Sequence, residues 1–228
     1  MKKLIGLPVL FLSCSLMAQQ AADALVKKVK VKYEKVNDYE ASAKMKTNVS
    51  FMKVPDAKVK IYYKRPDKLK IKNENGISFV PKGSVNINMG NVFGISSYTA
   101  IDAGTESVNG TAVRVIQIIP KDKSSGIALS TLYIDEKKEL VLKTATTTFD
   151  NGSYELVLQY GKYAAWALPD KVDFTFSTKD YKLPKGVTID YDNGTGNNNN
   201  KEKPKTGKVE ITYNSYTINK GVSDAEFK

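Results

Sequence analysis

Arg65 is the residue whose type and setting first raise a question of chemistry. It stands in "VKIYYKRPDKLKI", residues 59–71, between two short alternating runs, and the only other arginine in the chain is Arg114. A guanidinium offers five N–H donors in a planar fork, and here Pro66 follows it at a corner. The alternative is a turn residue whose side chain is merely solvated. Other reactive types are scarce. The sequence has no histidine and a single cysteine, Cys14, which lies in the N-terminal apolar run. Ser–His and Cys–His catalysis, Cys/His zinc sites and disulfides within the chain are thereby excluded. Asp and Glu are scattered, and "DNGTGNNNN" (192–200) is too irregular for a calcium loop with fixed ligand spacing. An enzyme is therefore not expected, nor is a bound metal or cofactor.

The charge balance, 35 Lys+Arg against 24 Asp+Glu and a net +11, is carried almost wholly by lysine. Bidentate reading of phosphates and bases favours arginine. Lysines at alternate strand positions also make an ordinary solvated sheet face. Nucleic acid is not an expected partner, whereas attraction to an anionic membrane surface stays open.

"MKKLIGLPVLFLSCSLMAQQ" has the basic start, apolar run and small polar end of a secretory signal peptide. The favoured reading is a signal peptide over 1–18, cut after Ala18, and an exported, periplasmic mature chain. The minority alternative is lipid anchoring at Cys14, preceded by Phe11-Leu12-Ser13. No later apolar stretch is long enough to span a bilayer.

The elements that would position any site come next. Leu25, Val29, Tyr33 and Val36 fall at helical spacing, and Asp23 can cap the start, so residues 21–38 are expected to be helical. From Tyr39 the pattern changes to period two: Tyr39, Ala41, Ala43, Met45, Thr47, Val49 and Phe51 alternate with polar residues. Arg65-Pro66-Asp67-Lys68 reads as a turn with proline at its second position. Asn75-Gly76, Asn109-Gly110 and Asn151-Gly152 are hairpin signals between alternating runs. "DEKKE" (135–139) plays the same part, and later strands run through "YELVLQY", "KVDFTFST" and "KVEITYNSYTI". About ten sequentially paired strands without helical crossovers make a mainly β, single-domain antiparallel meander that curls into a barrel or half-barrel.

Two segments lie outside this pattern. Residues 82–101, glycine-hinged and apolar, suit either a mobile flap or a loop packed on the core. Residues 191–207, "YDNGTGNNNNKEKPKTG", read as a flexible polar loop within one domain spanning 19–228. Met45, Val49, Phe51, Val59, Ile61, Tyr63, Leu69, Ile71, Phe79 and Phe93 are the candidate apolar face. Such a set can line a cavity or fill a core against the helix.

In this order the elements resemble those of the outer-membrane lipoprotein carrier (LolA-like) superfamily. "YKRPDKLKI", the upstream "ADALVKKVKVKYEKVNDYEASAKMK", then "GTESVNGTAVRVIQIIPKD", "LYIDEKKELVLK", "DNGS", "LPDKVDFTF" and the terminal "VEITYNSYTINKGVSDAEF" carry the likeness. The resemblance implies an unclosed β-barrel with a helical lid over its concave apolar face, the segment equivalent to that lid being 82–101. It implies a monomeric carrier of lipoprotein acyl chains or lipids between inner-membrane donor and outer-membrane acceptor complexes. It also implies that Arg65 latches the lid through hydrogen bonds to its backbone. The superfamily includes envelope-stress regulators and lipid-binding lipoproteins, so a non-catalytic sensing module, anchored at Cys14, stands as the alternative.

Overall fold

The structure is a computed structural model that describes residues 12–49, 52–53, 56–66, 68–74, 89–150, 152–177 and 206–227. Helix α1 (Leu12–Tyr33) is followed by strands β1 (Asp38–Val49), β2 (Met52–Lys53), β3 (Ala57–Lys64) and β4 (Lys68–Asn73). After the four-residue helix α2 (Gly90–Phe93) come β5 (Tyr98–Val108), β6 (Thr111–Pro120), β7 (Ile127–Asp135), β8 (Leu140–Thr148), β9 (Ser153–Gln159), β10 (Lys171–Ser177) and β11 (Thr206–Ile218). Single turns of 3-10 helix occupy Ala164–Trp166 and Asp224–Phe227.

All strand pairs are antiparallel, in the order β4-β3-β1-β11-β10-β9-β8-β7-β6-β5, with β2 as a short branch on β1. The meander expected from the alternating runs is therefore present as one sheet of ten strands. It does not close, because β4 and β5 stand at opposite ends of the order. The non-sequential contact is β1 on β11, where Met45 faces Ile211 and Ala41 faces Tyr216.

Turn chemistry explains several reversals. Asn109 and Gly110 adopt φ of 49° and 79°, the left-handed pair a two-residue hairpin needs between β5 and β6. At the β7–β8 reversal Asp135 Oδ1 accepts from the backbone N–H groups of Lys137 and Lys138, 3.0 and 3.1 Å away. Gly152 takes φ 70° ahead of β9. Asn75-Gly76 and Asn151 lie outside the described residues.

Three boundaries differ from expectation. The helix begins earlier and ends at Tyr33; Glu34–Asn37 form the turn into β1, since β-branched Val36 is buried against the sheet instead of extending a helical face. Residues 98–101, read as part of the 82–101 flap, are the first residues of β5. They pair regularly with β6 as far as Asp102, and a bulge at Ala103-Gly104, where Gly104 has φ 94°, then shifts the register. Thr206 and Gly207, read as the end of the 191–207 loop, already pair with Ser177 and Phe176 in the sheet.

The outer face accounts for the lysines. Lys44 pairs with Asp56 at 2.9 Å, Lys60 with Glu40 at 3.1 Å, Lys143 with Glu155 at 2.7 Å and Lys171 with Glu210 at 2.8 Å. Such exposed and half-buried pairs contribute little each but keep the sheet face wet and its register paired. The C-terminal turn clasps the first hairpin from outside: Asp224 bonds Lys64 and Lys68, and Glu226 bonds Lys72. Tyr62, which alternates with the lysines, is buried on this side, with the Lys72 ammonium 5.1 Å from its ring centre.

Candidate functional site

Period-two alternation places one residue of every pair on the inner face, and register then assembles them into rows. Ala41 stands between Ile61 and Tyr216, and Ile61 is opposite Ile71. Tyr39 stands between Tyr63 and Ile218, with Leu69 beyond Tyr63. Met45, Val59, Ile61, Tyr63, Ile71 and Phe93 belong to a single buried cluster, and Leu69 packs against it half-buried. Val49 is the last residue of β1, while Phe51 and Phe79 lie outside the described residues.

Among the described residues, helix and turn pack on this inner face. Ala22, Val26 and Val29 of α1 are buried with the sheet residues, one helical turn apart along one stripe. Val31, on the opposite side of the helix, is 62% exposed. Met89, Val92, Phe93 and Ile95 supply the rest of the cover, and the Phe93 ring lies 5.2 Å from that of Tyr33. The face is closed: Val59 is 0% exposed, and Ile61 and Tyr63 are 1% exposed.

Arg65 lies against the Glu34–Asn37 turn that follows α1. Its backbone N–H donates to the Asn37 carbonyl at 2.8 Å, and its guanidinium donates to the Glu34 carbonyl at 2.8 Å. The Glu34 carboxylate is 3.6 Å from the second guanidinium nitrogen. Among the described residues its carbonyl acceptor is thus just beyond α1, where the unpaired carbonyls of a helix end and its dipole both favour a cation. The acceptor is not in the 89–101 stretch of the segment read as the lid. The Arg65–Pro66 peptide is cis.

A second clasp on the same turn was not foreseen. Asn219, at φ 55°, accepts from the N–H of Asn37 at 2.7 Å and donates to the Lys35 carbonyl at 2.8 Å. Nothing local in the sequence signals a contact spanning more than 180 residues.

Tyrosines close this end of the interior. The hydroxyls of Tyr33 and Tyr63 are 3.0 Å apart, Tyr39 stacks on Tyr63 at 5.2 Å, and Tyr216 meets both Tyr39 and Tyr163 edge-on. Tyr216 donates to the Pro169 carbonyl at 2.7 Å and Tyr160 to that of Val141 at 3.0 Å. Burial, and then the neighbouring phenols, push Tyr33 and Tyr39 well above the ordinary tyrosine value. Burial likewise raises Tyr160, Tyr213 and Tyr216. These groups are neutral hydrogen-bonding struts.

At the far end of the sheet Arg114 Nε donates to Asp102 Oδ2 at 2.9 Å, and Asp102 Oδ1 accepts from the Gly104 N–H at 2.9 Å. Desolvation raises the Asp102 carboxyl, but the Arg114 and Gly104 bonds outweigh it and hold it below the usual range. This pair closes a bulge. Among the described residues no three His, Cys, Asp or Glu side chains gather closely enough to hold a metal ion. No helix among the described residues is long and apolar enough to cross a membrane.

Comparison with solved structures matches this architecture across nearly its whole length. A domain from Vibrio parahaemolyticus assigned to outer membrane lipoprotein sorting superposes with a TM-score of 0.58 at 11% identity, covering 92% of this chain and 97% of that one. A LolA superfamily protein from Nitrosomonas europaea gives 0.56 at 8% identity, covering 91% and 97%. This chain has the LolA-like fold. A DUF1329 family protein from Desulfovibrio piger shares it too, with a TM-score of 0.58, 14% identity and coverage of 92% and 97%. No protein-family model matches the chain, and no curated protein matches it in sequence.

Proposed function

We propose that this chain is a periplasmic carrier that shelters the acyl chains of lipoproteins or lipids in the interior of its half-barrel. The observation that carries the reading is the nature of the cover. Among the described residues, a face lined by Val59, Ile61, Ile71 and Leu156 shares one buried cluster with a single helix and the 89–95 segment. Each acyl methylene left in water costs about 0.8 kcal/mol, so a lipidated cargo needs such a face to cross an aqueous space. A sheet wall whose cover is a separate element can exchange its own packing for the guest's, with little change in apolar area exposed to water. The lack of histidine and the single cysteine agree with shelter and not with turnover.

On this reading α1 swings about the Glu34–Asn37 turn, and Arg65 and Asn219 set how readily it does so. The cargo is the acylated end of an outer-membrane lipoprotein or a free lipid, taken from an inner-membrane donor and released to an outer-membrane acceptor. The protein purified without detergent from its native envelope should yield bound acyl lipid on solvent extraction, in stoichiometric amounts. Recovery of lipid-free protein from cells and from lipid-supplemented lysate alike would rule the carrier reading out.

A further inference from the structure

The apolar rows of the inner face are interrupted in one place. One row runs Val209, Phe174, Leu156, Thr144, Leu132, Ile116 from β11 to β6, so Thr144 stands between two buried leucines. The next runs Phe176, Tyr154, Thr146, Ser130, Ile118. Three adjacent strands therefore bring four hydroxyls to the middle of the wall, and Ser130, Thr144 and Thr146 are 0%, 1% and 2% exposed.

Three of the four satisfy one another. Ser130 Oγ and Thr146 Oγ1 are 2.9 Å apart, and Tyr154 shares a hydrogen bond with Thr146. Thr144 Oγ1 has no hydrogen-bond partner among the described residues although it is wholly buried. A hydroxyl in apolar surroundings forfeits its bonds to water and gains nothing back. Valine has nearly the same shape and none of that penalty. An orphan donor kept between two buried leucines has a physical role if its partner arrives with the guest.

A hydroxyl needs an acceptor, and a hydrocarbon tail has none. The carbonyl at the head of an acyl chain is an acceptor without a competing donor, and it is the polar atom that must accompany the tail into the interior. We propose that Thr144 Oγ1 donates a hydrogen bond to the ester carbonyl of a bound acyl lipid, beside the Ser130–Thr146–Tyr154 cluster, and so fixes how deeply the tail is seated. This assignment rests on the carrier reading above and adds a ligand class to it: acyl esters in preference to ethers.

Binding of a fluorescent diacylglycerol and its dialkyl-ether analogue of equal chain length tests it. Wild-type protein should bind the ester about tenfold more tightly, the worth of one buried hydrogen bond with its partner otherwise stranded. Thr144→Val should erase that preference and melt higher than wild type without lipid, and Thr144→Ser should retain the preference. Equal affinity of wild type for the two probes overturns the assignment and leaves the carrier reading intact. So does a preference that survives in Thr144→Val, or an equal loss of both probes there, which marks Thr144 as a packing residue only. Wild type that binds neither probe overturns the carrier reading and this inference with it.

Discussion

The Arg65 guanidinium donates a 2.8 Å hydrogen bond to the backbone carbonyl of Glu34, tying the corner between β3 and β4 to the first residue beyond the covering helix. A bond to a charged donor contributes about 1.5–3 kcal/mol when shielded, but the Arg65 side chain is 36% exposed, so solvent weakens it. Arg65→Leu should lower global stability by less than about 1.5 kcal/mol while changing the rate of acyl-lipid uptake or release several-fold. Lysine at the same place should rescue poorly, because it lacks the planar fork that spans the Glu34 carbonyl and carboxylate. Melting curves beside a lipid-transfer assay check this; unchanged transfer in both variants would leave Arg65 as an ordinary turn residue.

The packing of the wall makes a second prediction. Ile61 is 1% exposed and Ile211 is 0% exposed, so truncation of either to alanine removes contacts that nothing else replaces. Each of Ile61→Ala and Ile211→Ala should cost about 2–5 kcal/mol in urea denaturation. Val59→Glu should cost more, because a carboxylate there is buried without a partner. Losses below about 1 kcal/mol would mean that this face is not sealed in the resting protein.

Much of this architecture is legible in the residues. Strict alternation in β1 and β3, the Asn109-Gly110 pair and the "DEKKE" turn announce an antiparallel meander, and the helical spacing of Leu25, Val29 and Tyr33 announces α1, although its end at Tyr33 and its buried Ala22 and Val26 are not marked. The inner-face candidates Met45, Val59, Ile61, Tyr63, Ile71 and Phe93 are together in one cluster. What escapes a local reading depends on distant partners. Thr144 sits in "LVLKTATTTF", where alternating threonines look like a wet face, and only the leucines beside it on β7 and β9 make it buried. Tyr62 alternates with lysines yet is buried, with the Lys72 ammonium over its ring. Asn219 looks like a loop residue until the α1–β1 turn is placed against it.

Alkaline pH supplies a third prediction. Tyr33 and Tyr39 are held protonated by burial and by neighbouring phenols. In the unfolded chain they lose their protons near pH 10, about the ordinary value. Above that pH the unfolded state binds fewer protons than the folded one, so stability falls as pH rises. Their contribution is whole below pH 10 and is lost progressively as the pH climbs toward the raised folded values. Phenolate absorbance from these buried tyrosines should therefore appear together with loss of the sheet signal in circular dichroism. Ionisation of all 13 tyrosines near pH 10 with the fold intact would contradict the burial described here.

The central claim, that the covered interior receives acyl chains, is tested most directly by calorimetric titration with a diacylated lipopeptide and the same peptide without its acyl groups. The account predicts saturable one-to-one binding of the acylated form, with the negative heat-capacity change of apolar burial, and no binding of the bare peptide. Equal binding of both forms, or of neither, would contradict it.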